Sequence, residues 1–356
     1  MPNQSCPFIA GSRIEDPALF VGRRGELRTI ASRMTAAQPT SVNVVGERRI
    51  GKSSLLYHFF QTYDARVNEP QRYAVVYLDL QSASCATEGD FYREVARALK
   101  RAAAGNAALT QPLEVQLLGR RGFSEAVRVW KQAHVLPVLC LDEFEQLLDH
   151  QREFDDGFYD NLRALMNGNA LMLVIASRRM LDEYRKGSEL TSEFFNLGQS
   201  LHLGDFGPSE VEELLRLPAR EGNGESPLLR AGEQDLAKNW AGNHPYLLQL
   251  AALKLCDAAG NGRSVAWAKA EFAREAGRLR SGRMRRRRWI KRLGWLTVIP
   301  FLGQVARGIG DTWENVAAWI FGAAVLIVVA ISGIALISGV AGWPDVKQQI
   351  DRFLED

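Results

Sequence analysis

Upstream of Gly204 the chain alternates between two apolar rhythms. Short runs of strand length, Ser41–Val45, Tyr73–Leu80, Leu136–Leu141, Ala170–Ala176 and Ser200–Leu203, are rich in apolar or β-branched residues. Nearly continuous runs of this kind fit strands buried on both faces. Between them, Lys52–Tyr63, Asp90–Ala104, Ser124–Ala133 and Phe158–Met166 return apolar residues every three or four places, which predicts helices. Strands separated by helices imply a parallel sheet flanked by helices, the α/β fold class. Downstream only the helical rhythm remains, over Ser209–Arg216, Glu233–Asn239, Pro245–Ala258 and Val265–Leu279. The change near Gly204–Gly207 predicts an α/β core over residues 1–205 and a small helical domain over 206–277.

A third pattern ends the sequence. No charged residue occurs from Val316 to Trp343, and Ala317–Val340 has only Ser332 and Ser338 as polar side chains. About twenty apolar residues in a helix rise roughly 30 Å, the thickness of the hydrocarbon core, so 316–343 predicts a transmembrane helix. Trp319 and Trp343 sit near its ends as interfacial anchors, and Gly322, Gly333 and Gly339 suit close helix packing in lipid. A second uncharged stretch, Leu293–Ala306, is short and holds Pro300, so it reads as interfacial or re-entrant. Residues 344–356 form an acidic tail, and the side on which it lies depends on whether 293–306 crosses.

Composition narrows the class. With 356 residues, 46% hydrophobic and 24% charged, the chain has ample apolar material for a packed core and does not read as intrinsically disordered. Its net charge of +3 hides a local concentration: nine Lys or Arg and no acid fall in Arg278–Arg292, so the remainder is net acidic. A uniformly basic, histone-like polycation is thereby excluded. Two partners compete for the basic window 278–292. Anionic lipid attracts juxtamembrane cations by about 1 kcal/mol each, and a basic flank marks the cytoplasmic side of a span. Nucleic acid phosphates would also be neutralised by such a cluster. The position directly before the apolar stretches, with Trp289 as the sole aromatic inside the window, favours the bilayer. Cys6, Cys85, Cys140 and Cys256 have no short spacing, which argues against a disulfide scaffold or a zinc site. The N-terminal part holds no apolar stretch of signal-peptide length and is expected in the cytosol.

Candidate chemistry begins directly after the first predicted strand. Gly46-Glu47-Arg48-Arg49-Ile50-Gly51-Lys52-Ser53 matches GxxxxGK[ST] and runs through Ser54 into a helix. Glycines at both ends let the backbone amides turn inward around phosphates, and the helix N-terminus adds its partial positive charge. Lys52 is expected to reach the β- and γ-phosphates and Ser53 to hold Mg2+, so ATP and Mg2+ are the expected cofactors. The strand Leu136–Leu141 runs into Asp142 and Glu143. Asp142 is expected to bind the magnesium through water and Glu143 to polarise the attacking water as a general base. In a parallel α/β sheet ligands gather at the carboxyl edge of the strands, where both motifs would meet. A third strand end enters Ser177 and Arg178, which would sense or neutralise the γ-phosphate.

These residues, with two further motifs, resemble the prokaryotic AAA-like ATPases of the STAND group, which overlap the archaeal ATPase family within the P-loop ATPases that carry an additional catalytic glutamate. The resemblance spans about Phe20 to Ala258. It rests on Phe20-Val21-Gly22-Arg23 followed by Glu26-Leu27, the loop GERRIGKSS, LDEFEQL at 141–147, Ala176-Ser177-Arg178, and Gly242-Asn243-His244-Pro245-Tyr246-Leu247-Leu248-Gln249. It implies that Val21, Gly22 and Arg23 join the nucleotide site and that 206–277 is a lid. It further implies that Pro245 packs near the adenine while His244 couples the lid to nucleotide state. Arg24 stands where the family usually has glutamate.

The sequence therefore predicts a membrane-anchored ATPase acting as a nucleotide-controlled signalling switch, with Lys52, Glu143 and Arg178 as the catalytic set. The architecture extends this to a membrane effector role in prokaryotic defence, a homo-oligomer, and an inner-membrane location with the ATPase domain cytoplasmic. Its rivals are a nucleic-acid-associated ATPase gripping DNA through the basic segment, and a nucleotide-dependent scaffold that does not hydrolyse.

Overall fold

Alternate residues of the strand Leu136–Asp142 pack into two different cores: Leu139 and Leu141 into one, Val138 and Cys140 into the other. A strand so placed lies inside a sheet covered on both faces. The computed structural model describes residues 6–82, 85–114, 119–185, 190–196, 198–219 and 226–277. In chain order its elements are α1 (Arg24–Met34), β1 (Val42–Val45), α2 (Lys52–Thr62), β2 (Tyr73–Asp79), α3 (Glu88–Ala102), α4 (Ala107–Thr110), α5 (Arg120–Gln132) and β3 (Leu136–Asp142). They continue with α6 (Glu145–Leu148), α7 (Asp156–Asn167), β4 (Met172–Ser177), α8 (Leu181–Arg185), β5 (Gln199–His202), α9 (Pro208–Leu215), α10 (Ala231–Ala241) and α11 (Pro245–Gly260). Residues 265–277 are also helical.

The strands pair in parallel in the order β2-β3-β4-β1-β5. The expected α/β sheet is present, and its five strands are the five apolar runs with ends moved by one or two residues. On one face Leu27, Ile30 and Met34 of α1 and Leu55, Leu56 and Phe59 of α2 cover Val42, Val138 and Val174. On the other, Phe91, Leu99, Phe123, Trp130 and Phe158 from α3, α5 and α7 cover Leu139, Leu141, Leu173 and Ile175. Each such side chain, when fully buried, contributes about 1.5–3 kcal/mol, so both faces hold the strand ends in register. Cys140 is wholly buried and burial pushes its thiol far above the ordinary range, as befits a small packing residue.

The chain divides into the units Met1–Ala276 and Gly277–Asp356. Within the first, the last strand ends at His202 and helices follow from Pro208. The basic window 278–292, the apolar stretches 293–306 and 316–343 and the tail 344–356 lie outside the described residues. Among the described residues no helix is long and apolar enough to cross a membrane.

Candidate nucleotide site

β1 lies between β4 and β5, so the Gly-rich loop leaves the sheet beside the end of β4, where the Gly46 amide donates to the Ser177 carbonyl at 3.2 Å. The loop closes at Gly51, whose φ of 104° is a left-handed conformation that a side chain would strain. Lys52 opens α2, and its Nζ donates to the carbonyls of Gly46 at 2.9 Å and Glu47 at 3.0 Å. Burial lowers the pKa of this ammonium, while Glu145, Glu143 and Asp142 act in the opposite direction.

Asp142, the last residue of β3, is buried, and its carboxylate accepts the Tyr77 hydroxyl at 2.7 Å and the Glu143 amide at 3.0 Å. A side-chain hydrogen bond joins it to Ser53 as well. Burial pushes its pKa up, and the bonds from Tyr77 and Ser53 pull it back. Glu143 follows in a left-handed conformation with φ of 52°, an unusual posture for a residue with a side chain. There it meets Arg178, whose Nη2 donates to Glu143 Oε2 at 3.0 Å. Burial opposes the Arg178 charge, but Glu143 and Glu145 raise its pKa above the ordinary value. Glu145 had no expected role, yet its Oε1 accepts the Arg178 amide at 2.6 Å and the Tyr184 hydroxyl at 3.0 Å.

The helical part closes the other side. Arg23 is buried and donates to the carbonyls of Gly204 at 2.6 Å and Ile50 at 3.3 Å, with its guanidinium 4.8 Å over the Phe206 ring. Glu210 of α9 accepts the amides of Arg23 at 2.6 Å and Gly207 at 2.7 Å. Gly22 has φ of 72°, and a Cβ there would lie 2.5 Å from Glu210 Oε1, so a side chain would have to push that carboxylate aside. Arg24 forms a two-pronged ion pair with Glu213 of α9, both bonds 2.7 Å. An arginine at that position thus ties α1 to α9 by charge. Across the cleft the Arg49 guanidinium lies 4.5 Å over the Tyr246 ring at the start of α11.

These elements enclose a cleft of about 490 Å³. Of the expected residues, Val21, Arg23, Arg48, Arg49, Ile50, Gly51, Lys52, Ser53, Ser54, Glu143, Arg178 and Pro245 line it. Gly46 and Glu47 instead turn carbonyls to Lys52, and Gly22 packs on Glu210. His244 is buried at the N-cap of α11, and Asp142 lies beside Ser53. Ser177 is the last residue of β4, as the strand end predicts, and is fully buried, with its hydroxyl within hydrogen-bond distance of Asn43 Oδ1 at 2.9 Å and of the Arg179 carbonyl at 2.6 Å. It does not line the cleft itself.

The N-terminal segment supplies lining that sequence reasoning missed: Ile9, Gly11, Ser12, Arg13 and Ile14. The Ile9 amide donates to Gln249 Oε1 at 2.9 Å and the Ile14 amide to Ser54 Oγ at 3.1 Å. Phe20, Gln81, Phe206, Leu214, Tyr246 and Gln249 complete the wall. Among the described residues no group of three His, Cys, Asp or Glu could hold a metal by itself. A hydroxyl and a carboxylate, Ser53 and Asp142, are hard oxygen donors that fit a magnesium shared with phosphates and water.

Residues 36–184 match the family described as the AAA domain. The structure is similar to the Walker-type ATPase PABY2304 of Pyrococcus abyssi, with 16% identity over 79% of this chain and 80% of that one and a TM-score of 0.52. It is likewise similar to the ORC2 protein of Aeropyrum pernix, solved as ADPNP–ADP complexes, with 16% identity over 77% of this chain and 70% of that one and a TM-score of 0.52. At such identity the likeness concerns the fold alone. None of the curated proteins matches the chain. A parallel sheet, a phosphate-binding loop at the carboxyl edge of β1 and the family match over 36–184 together identify an AAA-type P-loop ATPase domain within those residues, and the chain is an ATPase.

Proposed function

We propose that the chain binds magnesium ATP in the cleft between its Gly-rich loop and its helical lid, hydrolyses it, and uses the nucleotide state to set the lid's position. The carrying observation is that loop residues 48–54, strand-end residues Glu143 and Arg178, and Pro245, Tyr246 and Gln249 of α11 share one cleft. A nucleotide seated there would touch all three. Lys52 would exchange the Gly46 and Glu47 carbonyls for the β- and γ-phosphates. Ser53 and Asp142 would hold the magnesium, which when bound neutralises phosphate charge. Arg178 would move from Glu143 to the γ-phosphate, leaving Glu143 to accept a proton as water attacks phosphorus and the bond to ADP breaks. Arg178, with Ser177 at the same strand end, would sense the γ-phosphate, and His244 with Pro245 would pass the change into α11.

The ADPNP and ADP complexes of the Aeropyrum ORC2 protein support the choice of an adenine nucleotide. On sequence grounds alone we extend the proposal to a membrane-bound signalling switch, cytoplasmic in its ATPase domain, in which the basic window and the 316–343 segment form the bilayer attachment and output. ATP turnover and fluorescent-nucleotide binding of the full chain beside Lys52→Ala and Glu143→Gln test the site. Lys52→Ala is expected to lose binding, and Glu143→Gln to keep binding with turnover down about 100-fold or more. Unchanged behaviour in either variant overturns its assignment. Recovery of the full chain in the soluble fraction without detergent would defeat the membrane placement, and salt-dependent DNA binding lost on neutralising Arg285–Arg288 would support the DNA-associated rival.

A further inference from the structure

We infer that Tyr77 and Arg13 are positioning residues for the Asp142 carboxylate, and that through them the N-terminal segment tunes the magnesium affinity of the nucleotide site. The inference rests on the reading that Asp142 and Ser53 hold the metal.

The register explains the placement. Tyr77 of β2 pairs with Cys140 of β3, two residues before Asp142, and side chains two apart share a face of the sheet. The Tyr77 hydroxyl thus reaches diagonally to Asp142 Oδ2 at 2.7 Å. On its other side, Arg13 Nη1 lies 2.9 Å from the same hydroxyl oxygen. A guanidinium has donors only, so the Tyr77 oxygen must accept from Arg13 and its proton must point to Asp142. The Glu143 amide occupies Oδ1 at 3.0 Å. Both carboxylate oxygens therefore have fixed donors, which sets the rotamer and presents Asp142 as a pure acceptor toward Ser53.

Arg13 is itself held in place. Its guanidinium lies 4.0 Å over the Tyr57 ring and 4.8 Å over the Tyr77 ring. The next residue, Ile14, donates its amide to Ser54, the neighbour of Ser53. One short stretch of irregular chain thus bonds the partner of Asp142 and the neighbour of Ser53 while also lining the cleft. A relay of this form couples how the N-terminal segment lies to how the carboxylate points.

The test uses the full chain, a fluorescent ADP analogue and Mg2+ titrated against an EDTA control. Tyr77→Phe is expected to bind the analogue in EDTA within about twofold of wild type, but to need about tenfold more Mg2+ for half of the metal-dependent tightening, as for loss of one charge-assisted hydrogen bond. Its kcat should fall while KM for ATP at saturating Mg2+ stays within about twofold. Arg13→Ala should shift the magnesium requirement in the same direction by less, and Arg13→Lys should restore part of it. Should Tyr77→Phe fail to fold, the Arg13 pair carries the test, because that side chain is partly exposed outside the core. An unchanged magnesium requirement in Tyr77→Phe and Arg13→Ala overturns the inference, as does an equal loss of affinity with and without Mg2+. Asp142→Asn separates the two levels: if it too leaves the magnesium requirement unchanged, the metal-site reading itself fails.

Discussion

Arg178 holds Glu143 by a 3.0 Å ion pair while its Nε lies 3.5 Å from Glu145 Oε1, so one guanidinium faces two carboxylates at the mouth of the phosphate loop. Both partners of the first pair are partly exposed, and such a pair contributes about 1 kcal/mol or less to stability. Its consequence is chemical, since the proposed base is engaged until something else takes the arginine.

Arg178→Ala is therefore expected to lower kcat about 100-fold, the usual cost of removing one donor to a developing oxyanion, with ADP affinity within about threefold of wild type. Arg178→Lys should recover little, because a point charge cannot span two carboxylates as the planar fork does. Steady-state kinetics beside ADP titration decide the matter. A kcat retained in Arg178→Ala would remove Arg178 from the catalytic set.

Glu145 is expected to matter to folding more than Glu143 does. It is buried, and its Oε1 accepts the Arg178 amide and the Tyr184 hydroxyl. Glu145→Ala leaves both donors without an acceptor at a cost of about 1–3 kcal/mol, whereas Glu145→Gln keeps an oxygen there and should cost less. Denaturant midpoints of the two variants make the comparison. Equal destabilisation would show that these hydrogen bonds do not hold the strand end.

Much of the sheet and the phosphate loop could be read from the sequence because each imposes a strict local demand. Strands buried on both faces must be nearly continuous in apolar residues, and a loop that wraps phosphates needs glycine, lysine and serine at set spacing. α1 was not among the predicted helices: Leu27, Ile30, Ala31 and Met34 form a helical stripe, but interspersed arginines dilute it. The N-terminal wall offered no such signal. Ile9 meets Gln249 across 240 positions and Arg13 meets Tyr77 across 64, in a segment without period or motif. The strand end at Ser177 was legible from its apolar run, but the partner of its hydroxyl, Asn43 on β1, lies 134 positions away and leaves no local signal.

Gly22 carries a sharper demand than its motif conveys. Gly22→Ala adds a Cβ at a left-handed φ and 2.5 Å from Glu210 Oε1, so it should displace the carboxylate that holds the amides of Arg23 and Gly207. Backbone strain of this sort costs about 1–3 kcal/mol. Thermal melting with and without ADP is the check, with the expectation that the added stability from ADP shrinks along with the melting temperature. A variant that melts like wild type would mean that Glu210 can move freely.

His58 makes acid stability measurable. Its Nε2 lies 3.2 Å from Arg66 Nη2, a group that only donates, so the ring is neutral with its proton on Nδ1. Burial and then Arg66 hold its pKa down to about 4. The unfolded residue titrates near 6.5, so between those values the unfolded chain binds a proton the folded one does not, and stability falls as the pH drops through that window. Above it the contribution is complete. From pH 7 to 5 wild type should lose about 1 kcal/mol more than His58→Gln, after allowing for solvent screening. Equal losses would show that the ring is not buried neutral.

Cys6 and Cys256 test where the N-terminal segment lies. Their thiols share a side-chain hydrogen bond, which lowers the pKa of Cys6 and raises that of Cys256. The geometry agrees with the bond between Ile9 and Gln249: three extended residues span about 10 Å, and seven residues of helix rise about 10 Å, so the segment runs antiparallel along α11. Diamide, a two-electron thiol oxidant, should take both thiol protons and electrons and join Cys6 to Cys256 within one chain, with the Cys6 thiolate as nucleophile. Cys85 and Cys140 are buried and should react only after denaturation. Peptide mapping without reductant identifies the product, and release of fluorescent ADP should slow in the cross-linked protein because the segment and α11 both line the cleft. Mapping that finds Cys6 joined to another cysteine, or to none, would place the segment elsewhere and withdraw its residues from the nucleotide wall.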